Sequence, residues 1–157
     1  MPNVQVRTAN TSDLEQLNEL MYLLHDEHHQ CEPEHFKTAE EIEQEKSIAR
    51  YIDGPDSVVF VAEVESIIVG FVTGHFCELV STVSKPVQMG SIDELYILPS
   101  YRKQSIAKEL CQKIEQRFAE YGVTQLFVEV WNFNERALNF YMEGGFAHHI
   151  HWLRKPI

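Results

Sequence analysis

The sequence predicts an α/β fold, a mixed and mostly antiparallel twisted sheet with a central parallel strand–helix–strand unit and flanking helices. Two runs rich in Val, Ile and Phe, at residues 57–63 and 67–77, are separated by a short turn and predict a hairpin. A helix-periodic segment lies between apolar runs at 91–98 and 125–130, and a crossover helix makes such strands parallel neighbours. No linker, repeat or low-complexity tract interrupts the chain, so we expect a single domain over residues 1–157.

The first half of the chain combines short strands with helices. Residues 4–8 form a predicted strand, and Thr11 or Ser12 caps the next helix, with Ser12 and Glu15 spaced as a capping box. The apolar positions of that helix recur at helical spacing and form its expected buried stripe: Leu14, Leu17, Met21 and Leu24. A second, more polar helix is predicted at about residues 40–51.

The second half carries the parallel unit and a final strand. Its predicted elements are, in order, a loop at 78–89, a strand at 91–98, a helix at about 105–121, a strand at 125–130, a helix at 135–143 and a strand at 146–153. Gly122 ends the first of these helices and Gly144 the second, because glycine adopts the backbone conformation that closes a helix.

The net charge of −11 excludes nucleic acid as a partner, because binding a phosphate backbone requires a basic face. Acidic residues are concentrated early in the chain: Asp26, Glu27, Glu32, Glu34, Glu40, Glu41, Glu43 and Glu45. Such a segment either attracts a cationic substrate or forms solvated helix faces.

Nothing in the sequence indicates a membrane or export. No apolar run reaches the ~20 residues that cross a bilayer. The start at residues 1–4 lacks the charged and then apolar pattern of a signal peptide. Three widely spaced cysteines, Cys31, Cys77 and Cys111, fit a reducing compartment better than a disulfide framework. We therefore expect a cytoplasmic protein with no membrane contact.

A basic turn joins the strand at 91–98 to the next helix. The apolar run ends at Pro99, and residues 102–107 then read Arg-Lys-Gln-Ser-Ile-Ala before a helical apolar pattern begins. Free N–H groups and the positive end of the helix dipole favour an anion at such a junction. The turn therefore predicts a phosphate-binding site.

A second motif follows about thirty residues later. Asn134, Ala137, Phe140, Tyr141 and Gly145-Phe146 occupy the fixed positions of Asn-x-x-Ala-x-x-Phe-Tyr-x-x-x-Gly-Phe. With these two motifs the chain resembles the GNAT superfamily of acetyl-CoA-dependent N-acetyltransferases. The phosphate loop of that family has the form Gln/Arg-x-x-Gly-x-Gly/Ala, and the resemblance extends over nearly the whole chain in element order.

The resemblance implies a GNAT fold and acetyl transfer from acetyl-CoA to a primary amine, with no metal. It implies that the cofactor lies like an extra strand where the strands at 91–98 and 125–130 separate. The residues that this places around the cofactor are Leu95, Tyr96, Ile97, Arg102, Lys103, Gln104, Ser105, Ile106, Ala107, Lys108, Asn134, Ala137, Phe140 and Tyr141. Asn134 can equally serve as the N-cap of the last helix.

Ser105 departs from the family pattern, which has glycine at this position. At positive φ a serine costs roughly 1–2 kcal/mol, whereas at negative φ it is unstrained and its hydroxyl can donate to phosphate. We expect the substitution to be tolerated, and the alternative is a cofactor site that no longer functions.

The implied reaction needs a base and an acid. An alkylamine has a pKa near ~10.4, so about one molecule in a thousand is neutral at pH 7 and a carboxylate must remove its proton. Asp93 and Glu94 are the candidates and are not distinguished, although strand alternation directs only one of them into the cleft. Backbone N–H groups near Leu95 are expected to stabilise the oxyanion. Tyr141 matches the family tyrosine that protonates the leaving thiolate, and its alternative role is a core aromatic.

The segment from His25 to His35 is rich in histidine. His25 and His29 have a spacing that can hold zinc, but no second ligand pair follows, so we expect no metal. The resemblance instead places this segment in the wall of the acceptor pocket, with four candidate contacts to the amine: Glu27, His28, Glu32 and Phe36. A solvated helix end is the alternative.

The acceptor is expected to be a cationic small-molecule amine, with a protein N-terminus or lysine as the second choice. Two other functions remain open, a non-catalytic acyl-CoA-binding domain and a metal- or pH-sensing protein built on the histidines. The last strand is a candidate sheet edge through which two copies can pair as a homodimer.

Overall fold

The computed structural model describes residues 3–157, so part of the signal-peptide prediction, at Met1 and Pro2, lies outside the described residues. The sheet has five strands in the order of the chain, β1–β2–β3–β4–β5. Three successive pairs are antiparallel, and only β4 and β5 run parallel. The strands are β1 Val4–Thr8, β2 Ser57–Val64, β3 Ile67–Leu79, β4 Val87–Ile97 and β5 Gln125–Val128. The predicted fold class is therefore confirmed.

Within the described residues, five α-helices flank the sheet: α1 Leu14–Cys31, α2 Ala39–Glu45, α3 Ala49–Asp53, α4 Ile106–Glu120 and α5 Glu135–Glu143. The predicted single helix at 40–51 is wrong, because the chain is extended at Lys46 (φ −127°, ψ 128°) and this residue separates α2 from α3.

The predicted helix cap at Thr11 or Ser12 is also wrong, because the capping residue lies earlier in the chain. Asn10 caps a short 3₁₀ turn, and Asp13 completes the capping box there.

The helices form two layers because each face of the sheet is apolar. On one face α1 and α3 pack against β2–β4, and Leu17, Val61 and Phe71 are fully buried there. On the other face α4 and α5 pack against the same strands, with Leu110 and Ile114 fully buried. Burial on both faces explains why β2 and β3 lack a polar alternation.

The β3–β4 hairpin is longer than predicted. Its pairing continues to Leu79 opposite Val87, so the predicted loop at 78–89 shrinks to residues 80–86. Gly74 and Gly90 lie close together on this hairpin, under the ring of Phe118. A Cβ on Gly90 would come within 2.6 Å of that ring, so glycine lets α4 pack directly on the strands.

The predicted strand at 146–153 is wrong. Beyond Phe146 these residues form no element, and Ile150, Trp152 and Leu153 are exposed. A strand forms only beside a partner, and the neighbouring edge strand β5 has four residues. Among the described residues, no helix is both long and apolar enough to cross a membrane.

Candidate active site

β4 separates from the edge strand β5 partway along its length. They pair only from Met89 opposite Gln125 to Ile92 opposite Val128, whereas β4 continues to Ile97. Asp93 and the residues after it on β4 therefore have no partner on the β5 side. This opening confirms the predicted separation of the two strands and, among the described residues, leaves β4 without a strand partner on that side from Asp93 to Ile97.

A β-bulge at Asp93 turns both candidate carboxylates to the same face of the sheet. In the β3–β4 register Gly74 lies opposite Ile92 and Thr73 opposite Glu94, so Asp93 has no partner. Glu94 bonds Thr73 and Asp93 bonds His75. Positions 73 and 75 are two apart on β3 and share a face. The expectation that only one carboxylate enters the cleft side is therefore wrong, because the bulge interrupts the alternation.

Glu94 is the buried member of the pair, with its side chain 5% exposed. One carboxylate oxygen accepts from the hydroxyl of Thr73, and the other forms an ion pair with the ammonium of Lys46. The backbone N–H of Glu94 also donates to the Thr73 hydroxyl oxygen at 3.0 Å. Thr73 therefore fixes both the backbone and the side chain of Glu94.

Asp93 lies in a separate polar group on the same face. Its Oδ2 is 2.7 Å from Nδ1 of His75, and its Oδ1 accepts from the hydroxyl of Ser91 at 2.9 Å. Burial, followed by the charges of Glu94 and Asp93, raises the pKa of Tyr51 beside them. The side chain of His75 is partly exposed, whereas that of Asp93 is mostly buried.

The turn between β4 and α4 has an open row of amides. Lys103 and Ser105 both have a φ of 65°, on either side of Gln104. Within residues 3–157, the N–H groups of these three residues donate to no acceptor, and those of Ile106, Ala107 and Lys108 form the unpaired first turn of α4. Such a turn is a concave site for an anion. Ser105 thus adopts the strained conformation that the family fills with glycine.

Arg102 points away from this row of amides. Its Nε donates to the carbonyl of Ile97 at 2.8 Å, and its Nη2 donates to Glu27 Oε1 at 3.0 Å. The guanidinium also lies 5.3 Å from the ring centroid of Tyr96, whose hydroxyl donates to the same Glu27 oxygen at 3.2 Å. Burial is the main reason that the pKa of Tyr96 rises to about 12. A residue predicted to hold phosphate therefore binds a residue predicted to contact the amine.

Tyr141 is a buried side chain of α5, in the same apolar cluster as Ile92 and Ile97 of β4. It is buried between Phe140 (ring centroids 5.1 Å apart) and Phe146 (5.4 Å), and burial raises its pKa. Its phenol stays protonated at neutral pH, as a proton donor requires. Asn134 caps α5, with its Oδ1 accepting from the N–H of Ala137 at 3.2 Å, so the predicted capping role is present.

An aromatic cluster lies beyond the end of β5. Its members are His28, His35, Phe36, Trp131 and Phe133. Phe36 is its centre, 4.7 Å from Trp131 and 5.9 Å from Phe133 between ring centroids. The cluster joins the end of α1 and the α1–α2 loop to the segment after β5. Two predicted acceptor residues, His28 and Phe36, are thereby brought together.

Several residues of this site were absent from the sequence predictions: Lys46, Thr73, His75, Trp131 and Phe133. The hairpin register could have indicated Thr73 and His75, because they lie across from the two carboxylates. No local signal indicates Lys46, which lies 48 residues from its partner Glu94.

The histidine segment forms no metal centre in the part of the chain that is described, where no group of three or more His, Cys, Asp or Glu side chains could hold an ion. His25 is largely buried, and its Nε2 has no hydrogen-bond partner among the described residues. Burial, reinforced by the positive charge of Lys46, lowers its pKa to about 4. His25 is therefore neutral at physiological pH.

The sequence model of the family described as Acetyltransferase (GNAT) family matches residues 19–146, and the chain belongs to that family. The family uses acetyl-CoA as its acyl donor. The predicted resemblance is confirmed.

Solved structures agree with this assignment. An acetyltransferase from Vibrio fischeri is 54% identical, with a TM-score of 0.68, over 82% of this chain and 97% of that chain. A mutant protein from Bacillus halodurans shares the fold with a TM-score of 0.85 at 19% identity, over 98% of this chain and 99% of that one. The aminoglycoside N-acetyltransferase AAC(6')-Iy in complex with CoA has a TM-score of 0.74 at 16% identity, over 100% and 97% of the two chains. No match was found among the curated proteins.

Proposed function

We propose that this acetyltransferase moves an acetyl group from acetyl-CoA to a primary amine by direct attack, within a single domain. One observation carries the proposal: the β4–β5 opening lies between an unpaired row of amides and two carboxylates on one face of β4. The amides of residues 103–108 suit the pyrophosphate. The free edge of β4 suits the amide-rich arm of the cofactor.

The base is one of the two carboxylates. Glu94 is supported by its ion pair with Lys46, which shows that an alkylammonium can reach its oxygen. Asp93 is supported by its contact with His75, since a carboxylate that orients an imidazole makes that ring a proton acceptor. In both cases the amine loses its proton on the α1 face and attacks the thioester from there.

Two further groups would stabilise the oxyanion and protonate the leaving thiolate. Backbone N–H groups of β4 near Leu95 stabilise the developing negative charge. Tyr141 donates its proton to the departing thiolate. Its raised pKa supports this role, because the phenol must carry a proton at neutral pH to act as an acid.

The acceptor is proposed to be a cationic small-molecule amine. Glu27 and Glu32 lie on the α1 end of the opening, and the rings of Phe36 and Trp131 offer faces that attract cations. AAC(6')-Iy, by its name, acts on aminoglycosides, which are polycationic amines. A protein N-terminus or lysine is the second candidate, and it needs the same chemistry with a wider entrance.

Two measurements test the proposal. Titration calorimetry should detect heat on addition of CoA or acetyl-CoA, and a panel of polyamines, aminoglycosides and lysine peptides should include an amine that releases CoA. Binding without turnover on any amine would favour the non-catalytic acyl-CoA-binding domain. Absence of binding at millimolar cofactor would refute the cofactor site altogether.

The proposal also covers the location and the assembly of the protein. Three free cysteines, two of them exposed, are compatible with the cytoplasm, and fractionation of the source cells tests this placement. A homodimer can form through the exposed segment 147–157, where Ile150 and Trp152 lack cover among the described residues. A monomeric mass by sedimentation would refute the dimer.

A further inference from the structure

Lys46 holds the position that an acceptor amine would take. It follows α2, where the extended backbone directs its side chain across 48 residues of sequence to Glu94. Glu94 is buried, whereas the side chain of Lys46 is 38% exposed. The ammonium therefore enters from the solvent side and ends on the carboxylate, as a bound substrate would.

The two oxygens of Glu94 have different partners. The Oε2 atom accepts from the hydroxyl of Thr73, whereas Oε1 pairs with the ammonium of Lys46. A primary alkylamine is also the functional group that the proposed reaction acetylates. The ring of Tyr51, 5.8 Å from the Lys46 nitrogen, faces this ammonium and helps to hold it in place.

We propose that Lys46 is an internal acceptor and that the protein acetylates this lysine with its own active site, an inference that rests on the proposed function. Glu94 takes one proton from the Lys46 ammonium. The neutral nitrogen then attacks the thioester carbonyl of acetyl-CoA, an amide N–C bond forms, and the C–S bond breaks. The attacking nitrogen then gives up its second proton, the thiolate accepts one proton and leaves as CoA, and the product is Nε-acetyl-Lys46.

The modification would change the site that produces it. An acetylated Lys46 carries no charge and cannot form the ion pair, so Oε1 of Glu94 becomes available to an external ammonium. Before acetylation, an external amine must displace Lys46 to reach the same oxygen. Self-acetylation therefore converts a site blocked by its own lysine into one open to substrate.

Lys37 offers a matched comparison. It pairs with Glu45 at 2.7 Å, but both side chains are more than half exposed and neither belongs to the opening. Purified protein, shown by intact mass to be unacetylated, is incubated with excess acetyl-CoA and no added amine. Peptide mapping then follows acetylation at Lys46 and Lys37 over time, at two protein concentrations, in the wild type and in the Lys46→Arg, Lys37→Arg and Glu94→Gln variants.

The proposal predicts acetylation of Lys46 roughly tenfold or more faster than of Lys37, because the two reacting groups are held together. The rate should not depend on protein concentration, should persist in Lys37→Arg and should be lost in Glu94→Gln and in unfolded protein. Equal rates at the two lysines, or an unmodified Lys46, would overturn it. If external amines are acetylated while Lys46 is not, only this inference fails. If acetyl-CoA binds and nothing is acetylated, the proposed function fails with it.

Discussion

Arg102 donates to Glu27 at 3.0 Å, and this ion pair joins the turn between β4 and α4 to the first helix, α1. Arg102 comes from the turn that follows β4, and Glu27 lies in the last part of α1. Both side chains are partly exposed, so the pair alone contributes little to stability. Its importance is geometric, because it fixes the wall of the acceptor side to the loop that is proposed to hold pyrophosphate.

Arg102→Ala should weaken CoA binding by about 1–3 kcal/mol if the guanidinium turns to bind phosphate directly. If Arg102 acts only by fixing the turn through Glu27, then Glu27→Gln should cause the same loss. The double variant should in that case bind no more weakly than either single variant. Calorimetric titration of the four proteins with CoA separates these results, and additive losses would show two independent roles.

Glu94→Gln should lower kcat by about 10²–10⁴-fold if Glu94 is the base, because its amide cannot accept the proton of an ammonium. Asp93→Asn is the matched control from the same bulge. Steady-state kinetics on one accepted amine compares them. A large loss in Asp93→Asn and in His75→Gln, with Glu94→Gln near wild type, would assign the base to the Asp93–His75 pair instead.

Ser105→Gly should stabilise the protein by about 0.5–1 kcal/mol, because glycine relieves strain at a φ of 65° but adds freedom to the unfolded chain. CoA binding should remain equal or tighten. The control is Ser100→Gly, in the 3₁₀ turn Pro99–Tyr101, where φ is not positive and glycine should destabilise. Urea unfolding followed by fluorescence measures both, and a less stable Ser105→Gly protein would contradict the strain.

Tyr141→Phe should reduce kcat by about 10²-fold while leaving CoA affinity near wild type, because only the proton donor is removed. The ring of Phe can keep the packing against Phe140 and Phe146, so the free energy of unfolding should change little. Parallel measurements of turnover, CoA binding and melting temperature check this. An unchanged kcat would refute the role as an acid and leave Tyr141 as a core aromatic.

The free energy of unfolding should decrease as the pH falls below 6.5, because His25 is buried in its neutral form. Its pKa is lowered to about 4 in the folded protein from the model-peptide value of 6.5, so the unfolded chain binds the proton first. The contribution of this residue is complete above pH 6.5 and is lost as pH falls toward 4. His25→Leu should therefore flatten the decline of the free energy of unfolding between pH 7 and about pH 4.

The control for this measurement is His151→Leu, whose side chain is exposed in the folded protein. Its curve should parallel the wild type over the same pH range. Identical slopes in the wild type and His25→Leu would contradict the burial of His25.

Much of the fold could be predicted from sequence because its signals are local. The apolar stripe of α4, the glycines that end α4 and α5, and the β-branched runs of β2 and β3 each lie within one element. The wrong strand at 146–153 shows the limit of such signals, because strand propensity needs a pairing partner that the segment itself does not supply.

The candidate site could be predicted only where a motif carries it. Asn134, Tyr141 and residues 102–107 lie within short patterns that can be read without the structure. Two contacts join residues that are far apart in the chain, Lys46 with Glu94 and Trp131 with Phe36. The sequence around one member of each pair does not specify its partner.

The sequence by itself determined the family, most of the elements and the positions of the turn at residues 102–107 and of Tyr141, because these depend on residues that are neighbours along the chain. The tertiary structure alone decided that both carboxylates share a face, that Arg102 turns to Glu27 and that Lys46 meets Glu94. Each of these depends on strand register or on the packing of distant segments, where one shifted residue changes which side chains meet.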